Sequence, residues 1–520
     1  MGYEFSRADL EQMAQMGIEA SQVEEQLMRM RTGYPSTNIT SAVTVGSGIT
    51  QVGEDEIDYY VGYYDENVRS VAKFVPASGA ATRMFKKQFK YLQEPNPEVN
   101  PFEGPIGSYP FSTILRNNLL VQNLDLSELE QKGDYVTILH TLLDGDRMNY
   151  GHMPKALIPF HQTGNGRTRR PLEEHMVEGA LYARNPDGQV DLYFTIDPAY
   201  QTEFKKIFAR AQVQLEQEYH VQYNLHLSAQ ARNTDTIAAR PDGSPYRDKQ
   251  GRLVFRPAGH GALLDNLQSV TQELVFIKNI DNVIPDHLKS ETIRFKKVLG
   301  GILLETRKQI GERLEHLKQR GVGKRICKEM YEYCRKRLGW RLPVGIQEAP
   351  LEMQLEYLHR NLNRPLRVCG VVRNEGEPGG GPFWVRERDG SESLQIVETA
   401  QLDVKDQRIQ LLLDKSKYFN PVDLVCCFQS YASRTGSSQQ QPFDLHKYVD
   451  KNTGFISSKS IDGDPILALE LPGLWNGAMA HWNTIFVEVP SITFSPVKEM
   501  TDLLRAEHQL PRTLSTGESA

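Results

Sequence analysis

Cysteine is scarce in this sequence, and its arrangement excludes two classes at once. The five cysteines, Cys327, Cys334, Cys369, Cys426 and Cys427, are odd in number and include no CxxC pair. Neither a zinc site nor a disulfide framework is therefore indicated. Long apolar runs are missing as well, none reaching the ~18 residues of a membrane-spanning helix. The opening residues MGYEFSRADLEQMAQMGI are amphipathic and lack the charged-then-apolar order of a signal segment. Met1-Gly2 with Ser6 fits the loose myristoylation pattern, which is short enough to recur by chance, so no lipid anchor is read from it. No charge of one sign dominates: 60 basic residues face 66 acidic ones for a net charge of −6. That balance excludes a general attraction to nucleic acid or to anionic lipid, so any phosphate-handling groups must be local. Internal repeats are absent, and the one biased tract, Ser437-Ser438-Gln439-Gln440-Gln441, reads as a loop tip. The expectation is a cytoplasmic protein with no nucleic-acid or membrane partner.

What is present is ordinary globular material, 39% hydrophobic and 24% charged, which argues against wholesale disorder. Its 520 residues are enough for several domains or for one large catalytic domain with insertions. Residues 7–31 read as a helix with an apolar stripe through Leu10, Met13, Met16, Ile18, Val23, Leu27 and Met30. From Ser70 the pattern becomes short apolar runs, small-residue turns and helical stretches, which implies a largely parallel sheet flanked by helices. Helical spacing takes over between about residues 290 and 362, and its Lys/Arg excess, interleaved with acids, reads as a solvated helix surface. Strand patterns then resume from Leu366. The domain reading is a helical N-terminal cap over 1–69, a nucleotide-binding α/β core over 70–289, a helical insertion over 290–365 and a C-terminal α/β part over 366–520.

Several segments have the composition of sites. Ser78-Gly79-Ala80-Ala81-Thr82-Arg83 sits between a strand pattern and a helix pattern bearing Lys86 and Lys87. Small residues there let backbone N–H groups approach phosphate, and an arginine neutralises charge on a transferred phosphoryl group; the competing reading is a turn that only packs helix against strand. Pro154-Lys155 precedes an apolar run from which a strand would deliver the ammonium, or else Lys155 is a plain exposed lysine. The basic stretch Thr163-Gly164-Asn165-Gly166-Arg167 with Arg169 and Arg170 reads equally as a phosphate contact or a solvated loop. Gly259-His260-Gly261, after the strand pattern Leu253-Val254-Phe255, puts two glycines where a backbone turns tightly or meets a flat ligand. His260 is read as held by the hydrogen bonds of its own turn rather than as a catalytic base. The strand pattern Leu274–Lys278 emerges into Asn279-Ile280-Asp281-Asn282, where a carboxylate suits Mg²⁺ held against a triphosphate; Asp281 as a turn-forming residue is the alternative. The loop Leu471–Trp482 concentrates two tryptophans and reads as a ligand-lining segment or as a buried aromatic corner.

In chain order SGAATRM, MPKALIP, FRPAGHGAL, FIKNIDNV, LQIVETAQ, YFNPVDL and FSPVKEMTDLL resemble the motifs of UDP-sugar pyrophosphorylases, over residues 71–504 and in a divergent, bacterial type of sequence. The resemblance implies a mixed, mostly parallel, Rossmann-like α/β sheet of the nucleotide-diphospho-sugar transferase type. It implies Ser78, Gly79, Thr82 and Arg83 at the triphosphate, Lys155 on phosphate, and Gln230, Gly259, His260 and Gly261 around the nucleobase. Glu398, Asn420 and Asp423 would meet the sugar, Lys498 its phosphate, and Asp281, with Asp423 as a second candidate, the Mg²⁺. The family's double glycine is replaced here by Pro76-Ala77, a further glycine by Ala80 or Ala81, and the Pro-Lys lies about 70 residues after the loop. The implied activity is Mg²⁺-dependent joining of a nucleoside triphosphate, UTP favoured, to a sugar 1-phosphate. Two alternatives stand beside it: a non-catalytic nucleotide or nucleotide-sugar binding protein, and a glycosyltransferase, which would favour an Asp-x-Asp in place of Asn279-Ile280-Asp281.

Overall fold

The computed structural model describes residues 3–164, 166–319, 321–376, 379–431, 441–461 and 463–511. Met1, Gly2, Asn165 and the Ser437–Gln440 part of the biased tract, which bear on readings made above, lie outside them. The chain divides into two compact units: one formed by residues 1–68, 230–277 and 297–489, the other by 69–229, 278–296 and 490–520. Both are mixed α/β. Among the described residues no helix is long and apolar enough to cross a membrane.

The first unit opens with a correction to the sequence reading. Residues 7–31 form two helices, Arg7–Met16 and Ala20–Thr32. Ser6 and Asp9 cap the first reciprocally, and Gly17 ends it at φ +72°, a backbone geometry that stops the helix at a residue the apolar stripe runs straight through. Of the stripe, Met13, Ile18, Val23, Leu27 and Met30 are buried against Ile237, Ala239, Leu253 and Leu469, whereas Met16 is half-buried and Leu10 exposed. The sheet of this unit orders its strands Thr44–Val45, Gly48–Thr50, Asn483–Glu488, Leu366–Arg373, Asp423–Cys427 and Leu274–Lys278. The first four run parallel, and Leu366–Arg373 is antiparallel to Asp423–Cys427. Two smaller antiparallel sheets accompany it, one of Ile39–Ala42, Gly381–Arg386 and Glu392–Val397, the other built on Thr236–Ala239, Asp464–Glu470 and Phe455–Ile461. The expected strand at Leu253–Phe255 is reduced to Phe255–Arg256, which pairs with Thr236–Ile237. Helices Lys324–Arg337 and Leu351–Leu362 occupy the stretch read as a helical insertion, after the long helix Lys289–Leu317.

In the second unit three parallel strands, Val71–Pro76, Gln189–Thr195 and Gln222–Ser228, run in simple register from Ala72 opposite Asp191 to Thr195 opposite Ser228. Helices Pro171–Tyr182 and Gln201–Tyr219 bury Leu172, Met176, Phe204 and Phe208 with Val190, Leu192 and Phe194 from the strands. Pro171 starts its helix because a first-turn residue needs no N–H, and Glu173 caps the Arg170 N–H at 2.8 Å. The residues between the small-residue turn and Pro154 fold as a separate helical lobe, with Ser112–Val121, Leu126–Lys132 and Tyr135–Leu143 closing on Phe85, Phe102, Tyr109 and Phe111.

The start of the strand Val71–Pro76 is fixed by one side chain. Asn185 accepts from the Val71 N–H at 2.7 Å and donates to the Val71 carbonyl at 3.1 Å and to Asp191 at 3.0 Å, all of them buried. Asn185→Leu strands these groups, so a loss of about 2 kcal/mol is expected from the desolvated, unpaired atoms. Urea unfolding measures it, and a midpoint equal to that of the parent protein would contradict the assignment.

Candidate functional site

The strand Val71–Pro76 is followed by Ala77, whose N–H still bonds the Thr195 carbonyl at 2.9 Å, so the chain leaves the sheet only at Ser78. Ser78, Gly79, Thr82 and Arg83 are exposed. A side chain at Gly79 would meet no protein atom within 4 Å, so packing inside the protein does not demand glycine there. The turn is laid against the segment Met153–Lys155: Ala80 bridges Pro154, Ala81 N–H bonds the Met153 carbonyl at 2.9 Å, and Lys155 N–H bonds the Gly79 carbonyl at 3.3 Å. The long separation in sequence is thereby explained, because the helical lobe lies between these two segments and returns the chain to the turn. Lys155 is delivered by a short 3-10 turn, Lys155–Leu157, and not by the strand expected from the apolar run. Ala156, Leu157 and Ile158 are buried in the turn all the same.

Lys155 meets Asp281. Its ammonium lies 2.7 Å from Asp281 Oδ2 and donates to the Val497 carbonyl, also at 2.7 Å, with both side chains largely shielded (12% and 21% exposed). Asp281 occupies the turn after Lys278, as its strand pattern implied. The C-terminal stretch is strapped to this turn: Ser495 N–H bonds Asn282 Oδ1 at 3.0 Å, Asn282 bridges Pro496, and Val497 N–H bonds the Asp281 carbonyl at 3.1 Å. Two residues beyond Lys498, Met500 N–H reaches the Met84 carbonyl at 3.0 Å, beside Arg83. Lys498, its ammonium 5.9 Å from the centre of the Phe494 ring, thus lies between the Asp281 strap and the Arg83 turn. Arg83 makes no ion pair among the described residues. Six expected residues, Ser78, Gly79, Arg83, Lys155, Asp281 and Lys498, are brought together in this way. Thr82 sits in the same turn, its hydroxyl 3.4 Å from the Gly151 carbonyl.

The fit to Mg²⁺ can be judged from these donors. Among the described residues no three His, Cys, Asp or Glu side chains converge on a metal-sized position. Asp281 therefore offers a single carboxylate, one oxygen of which is engaged by Lys155. Mg²⁺ commonly takes one or two protein carboxylates and fills its remaining positions with substrate phosphate and water, so Asp281 suits a metal that arrives with a triphosphate.

The basic loop after Thr163 is turned to protein partners. Arg167 donates to Gln214 at 2.6 Å, Arg169 to Asp286 at 2.6 Å, and Arg170 to the Leu157 carbonyl at 3.0 Å.

The remaining expected residues lie in the first unit. Gly259 has φ +81°, and a Cβ there would stand 2.2 Å from Glu470 Oε2, while one at Gly261 would stand 2.1 Å from the Pro472 carbonyl. The chain's own packing requires both glycines. His260 accepts from the Leu474 N–H at its Nδ1 (2.9 Å), stacks on Trp475 at 3.9 Å, and turns Nε2 to Glu398 Oε1 at 3.7 Å. It is thus held by the tryptophan loop and not, as read from sequence, by the hydrogen bonds of its own turn. Gln401 ties that loop to Glu398 by accepting from the Asn476 amide at 3.0 Å and the Glu398 N–H at 2.7 Å. Gln230 donates to Asp235 at 3.2 Å. Asn420 is buried, with its amide on the Gly370 carbonyl at 2.7 Å and its oxygen accepting from Val422 N–H at 3.1 Å; Val422 there has φ +58°. Asp423 is 2% exposed at the head of its strand.

Sequence reasoning missed a set of buried charges behind Asp281. Glu178 receives the ammonium groups of Lys73 and Lys278, each at 2.7 Å, with all three side chains essentially unexposed. Glu174 receives Lys289 and, at 2.8 Å, His161, whose other nitrogen meets His508 at 2.9 Å. Two lysines inside apolar strands, VAKFVP and LVFIK, were the available signal. Burial opposes the charge of Glu174 and Glu178, but the neighbouring Lys289, for Glu174, and Lys278 and Lys73, for Glu178, hold both well below the usual carboxylate range. Burial pulls the Lys73 ammonium down to about 7 despite Glu178.

Burial, reinforced by Lys73, also drives His175 well below its ordinary value, and burial with His161 nearby brings His508 down to about 3. The unfolded chain takes up these protons near pH 6.5, whereas the folded chain does so only far lower. The native state thus binds fewer protons in that window, and stability falls as pH drops below about 6.5, approaching 1.4 kcal/mol per pH unit for each histidine. Thermal melting at pH 7 and pH 5 measures the effect. The drop should be smaller in His508→Gln, and an undiminished drop would contradict the assignment.

A family model described as "Domain of unknown function (DUF4301)" matches residues 6–509. No curated protein matches the sequence. Similar solved structures include UDP-glucose pyrophosphorylase from Leishmania major, with 13% identity and a TM-score of 0.45, covering 96% of this chain and 79% of that one. Another is UDP-glucose phosphorylase from Trypanosoma brucei, with 15% identity and a TM-score of 0.43, covering 96% and 77%.

Proposed function

The chain belongs to the DUF4301 family, and from its site we propose that it is a nucleotidyltransferase, joining a nucleoside triphosphate, UTP favoured, to a sugar 1-phosphate with release of pyrophosphate. The observation that carries this reading is the Lys155–Asp281 ion pair, with the segments bearing Lys498 and Arg83 tied to the same corner by backbone bonds. The order of the seven motifs supports it, as does the exposed small-residue turn, open at Gly79. The finer fold reading, a Rossmann-like sheet of the nucleotide-diphospho-sugar transferase type, belongs to the same proposal.

A phosphate oxygen of the sugar 1-phosphate attacks the α-phosphorus of the triphosphate in line. The bond from that phosphorus to the oxygen bridging to the β-phosphate breaks, and pyrophosphate leaves with the electron pair. No side-chain nucleophile is needed, because positioning and charge neutralisation are enough. The residues divide the work by chemistry. Asp281 would hold Mg²⁺, which supplies charge neutralisation on the α-phosphate. Arg83 offers a planar fork to the departing pyrophosphate, and Lys498 offsets charge on the sugar phosphate. Lys155 leaves Asp281 for a phosphate oxygen when the triphosphate enters, so one ammonium serves the empty site and the filled one.

The test is pyrophosphate release, with Mg²⁺, from a matrix of nucleoside triphosphates against sugar 1-phosphates. Release confined to one pairing and abolished by Asp281→Asn is expected, and no release from any pairing by folded protein overturns the activity. Lys155→Met separates two effects. Release should fall on the order of 100-fold, the scale of losing one group that stabilises developing charge. Binding of Mn²⁺ together with the triphosphate should weaken on the order of tenfold, because the ammonium that moves to a phosphate oxygen is gone.

A further inference from the structure

The helix Pro171–Tyr182 is buried on its polar side as well as its apolar one. Glu174, His175, Glu178 and Tyr182 are all at most 2% exposed. A buried carboxylate without a partner is costly, so these residues must be matched, and three of the four reach into one short stretch, residues 278–289. Glu178 Oε1 accepts from Lys278 Nζ at 2.7 Å, while Oε2 takes Lys73 at 2.7 Å and the Tyr182 hydroxyl at 3.0 Å. His175 Nε2 lies 3.2 Å from the Ile280 carbonyl and must carry the proton, because a carbonyl only accepts. Glu174 takes the ammonium of Lys289, which also reaches the Ile284 carbonyl at 2.6 Å and Asp286 at 3.0 Å. Asp286 in turn receives Arg169.

Asp281 stands between the second and third of these anchors, one residue after Ile280. Fastening a strand end to a helix requires one of them. Three that bracket a single carboxylate from the same helix do more, because they fix the path of the turn on both sides of it. We infer that Glu174, His175 and Glu178 are positioning residues for Asp281, setting the direction in which its carboxylate meets a triphosphate-borne divalent cation. The inference rests on the metal role given to Asp281 above, and it does not require turnover.

The test uses the full chain, UTP and Mn²⁺, and reads the ratio of UTP affinity with the metal to affinity without it. His175→Leu removes the bond beside Asp281 and leaves both ion pairs in place. It should lower the ratio about tenfold while metal-free UTP affinity stays unchanged, since a general loosening of the fold would lower both. His175→Gln, which keeps an N–H able to reach the carbonyl, should restore most of the ratio. Phe204→Leu, a fully buried core change in the same unit, serves as the stability control and should leave the ratio intact. The proposal is overturned by an unchanged ratio in His175→Leu, by an equal loss in Phe204→Leu, or by a parent protein whose UTP affinity ignores the metal. Metal-dependent UTP binding without pyrophosphate release would instead remove the proposed activity and leave the positioning role standing.

Discussion

Two ammonium groups share one buried carboxylate in the second unit, and the arrangement of the site depends on that knot. Lys73 comes from the strand that runs into Ser78 and Arg83, and Lys278 from the strand end that runs into Asp281. Glu178 joins them on a helix. Removing one partner from a buried ion pair typically costs about 3–5 kcal/mol, since the charge left behind is uncompensated. The turn carrying Ser78 and Arg83 and the carboxylate of Asp281 are therefore referred to the same point in the core. Neither can shift along its strand without pulling an ammonium away from Glu178.

A second tie runs over the top of the site. The segment Ser495–Val497 is fastened to Asn282 and Asp281 by side-chain and backbone bonds, and Lys155 closes on the Val497 carbonyl. Arg83, Lys155, Asp281 and Lys498, scattered over more than four hundred residues of sequence, are assembled by short backbone bridges that side-chain chemistry alone does not foretell. Lys155 neutralises Asp281 in this arrangement, and in the proposed reaction the same ammonium would offer its charge to phosphate.

Much of this was legible, and the limits have physical causes. The end of the Leu274–Lys278 strand and the small-residue turn could be read because a buried strand writes itself as an apolar run and a turn as small residues. The distance from the turn to Lys155 looked like a defect in sequence, because a helical lobe inserted between two touching segments leaves no mark on either. The helix break at Gly17 was hidden by an apolar stripe that both helices share. Gly259 and Gly261 read as room for a flat ligand, yet the carboxylate of Glu470 and the carbonyl of Pro472 fill that room; a glycine is the same letter whether protein or ligand approaches it. The polar stripe of Glu174, His175 and Glu178 resembles any solvated helix face until its partners, a hundred residues away, are known. Arg169 and Arg170 likewise read as a basic loop, because their acceptors are distant in sequence or belong to the backbone.

The central claim is that Arg83, Lys155, Asp281 and Lys498 form one triphosphate site. The most direct measurement is a crystal structure of the protein with UTP and Mg²⁺. The account predicts the metal on Asp281, the Lys155 ammonium moved from that carboxylate to a phosphate oxygen, and Arg83 and Lys498 within hydrogen-bonding reach of the phosphates. A nucleotide bound elsewhere, or one bound here with Lys155 still paired to a metal-free Asp281, would contradict it.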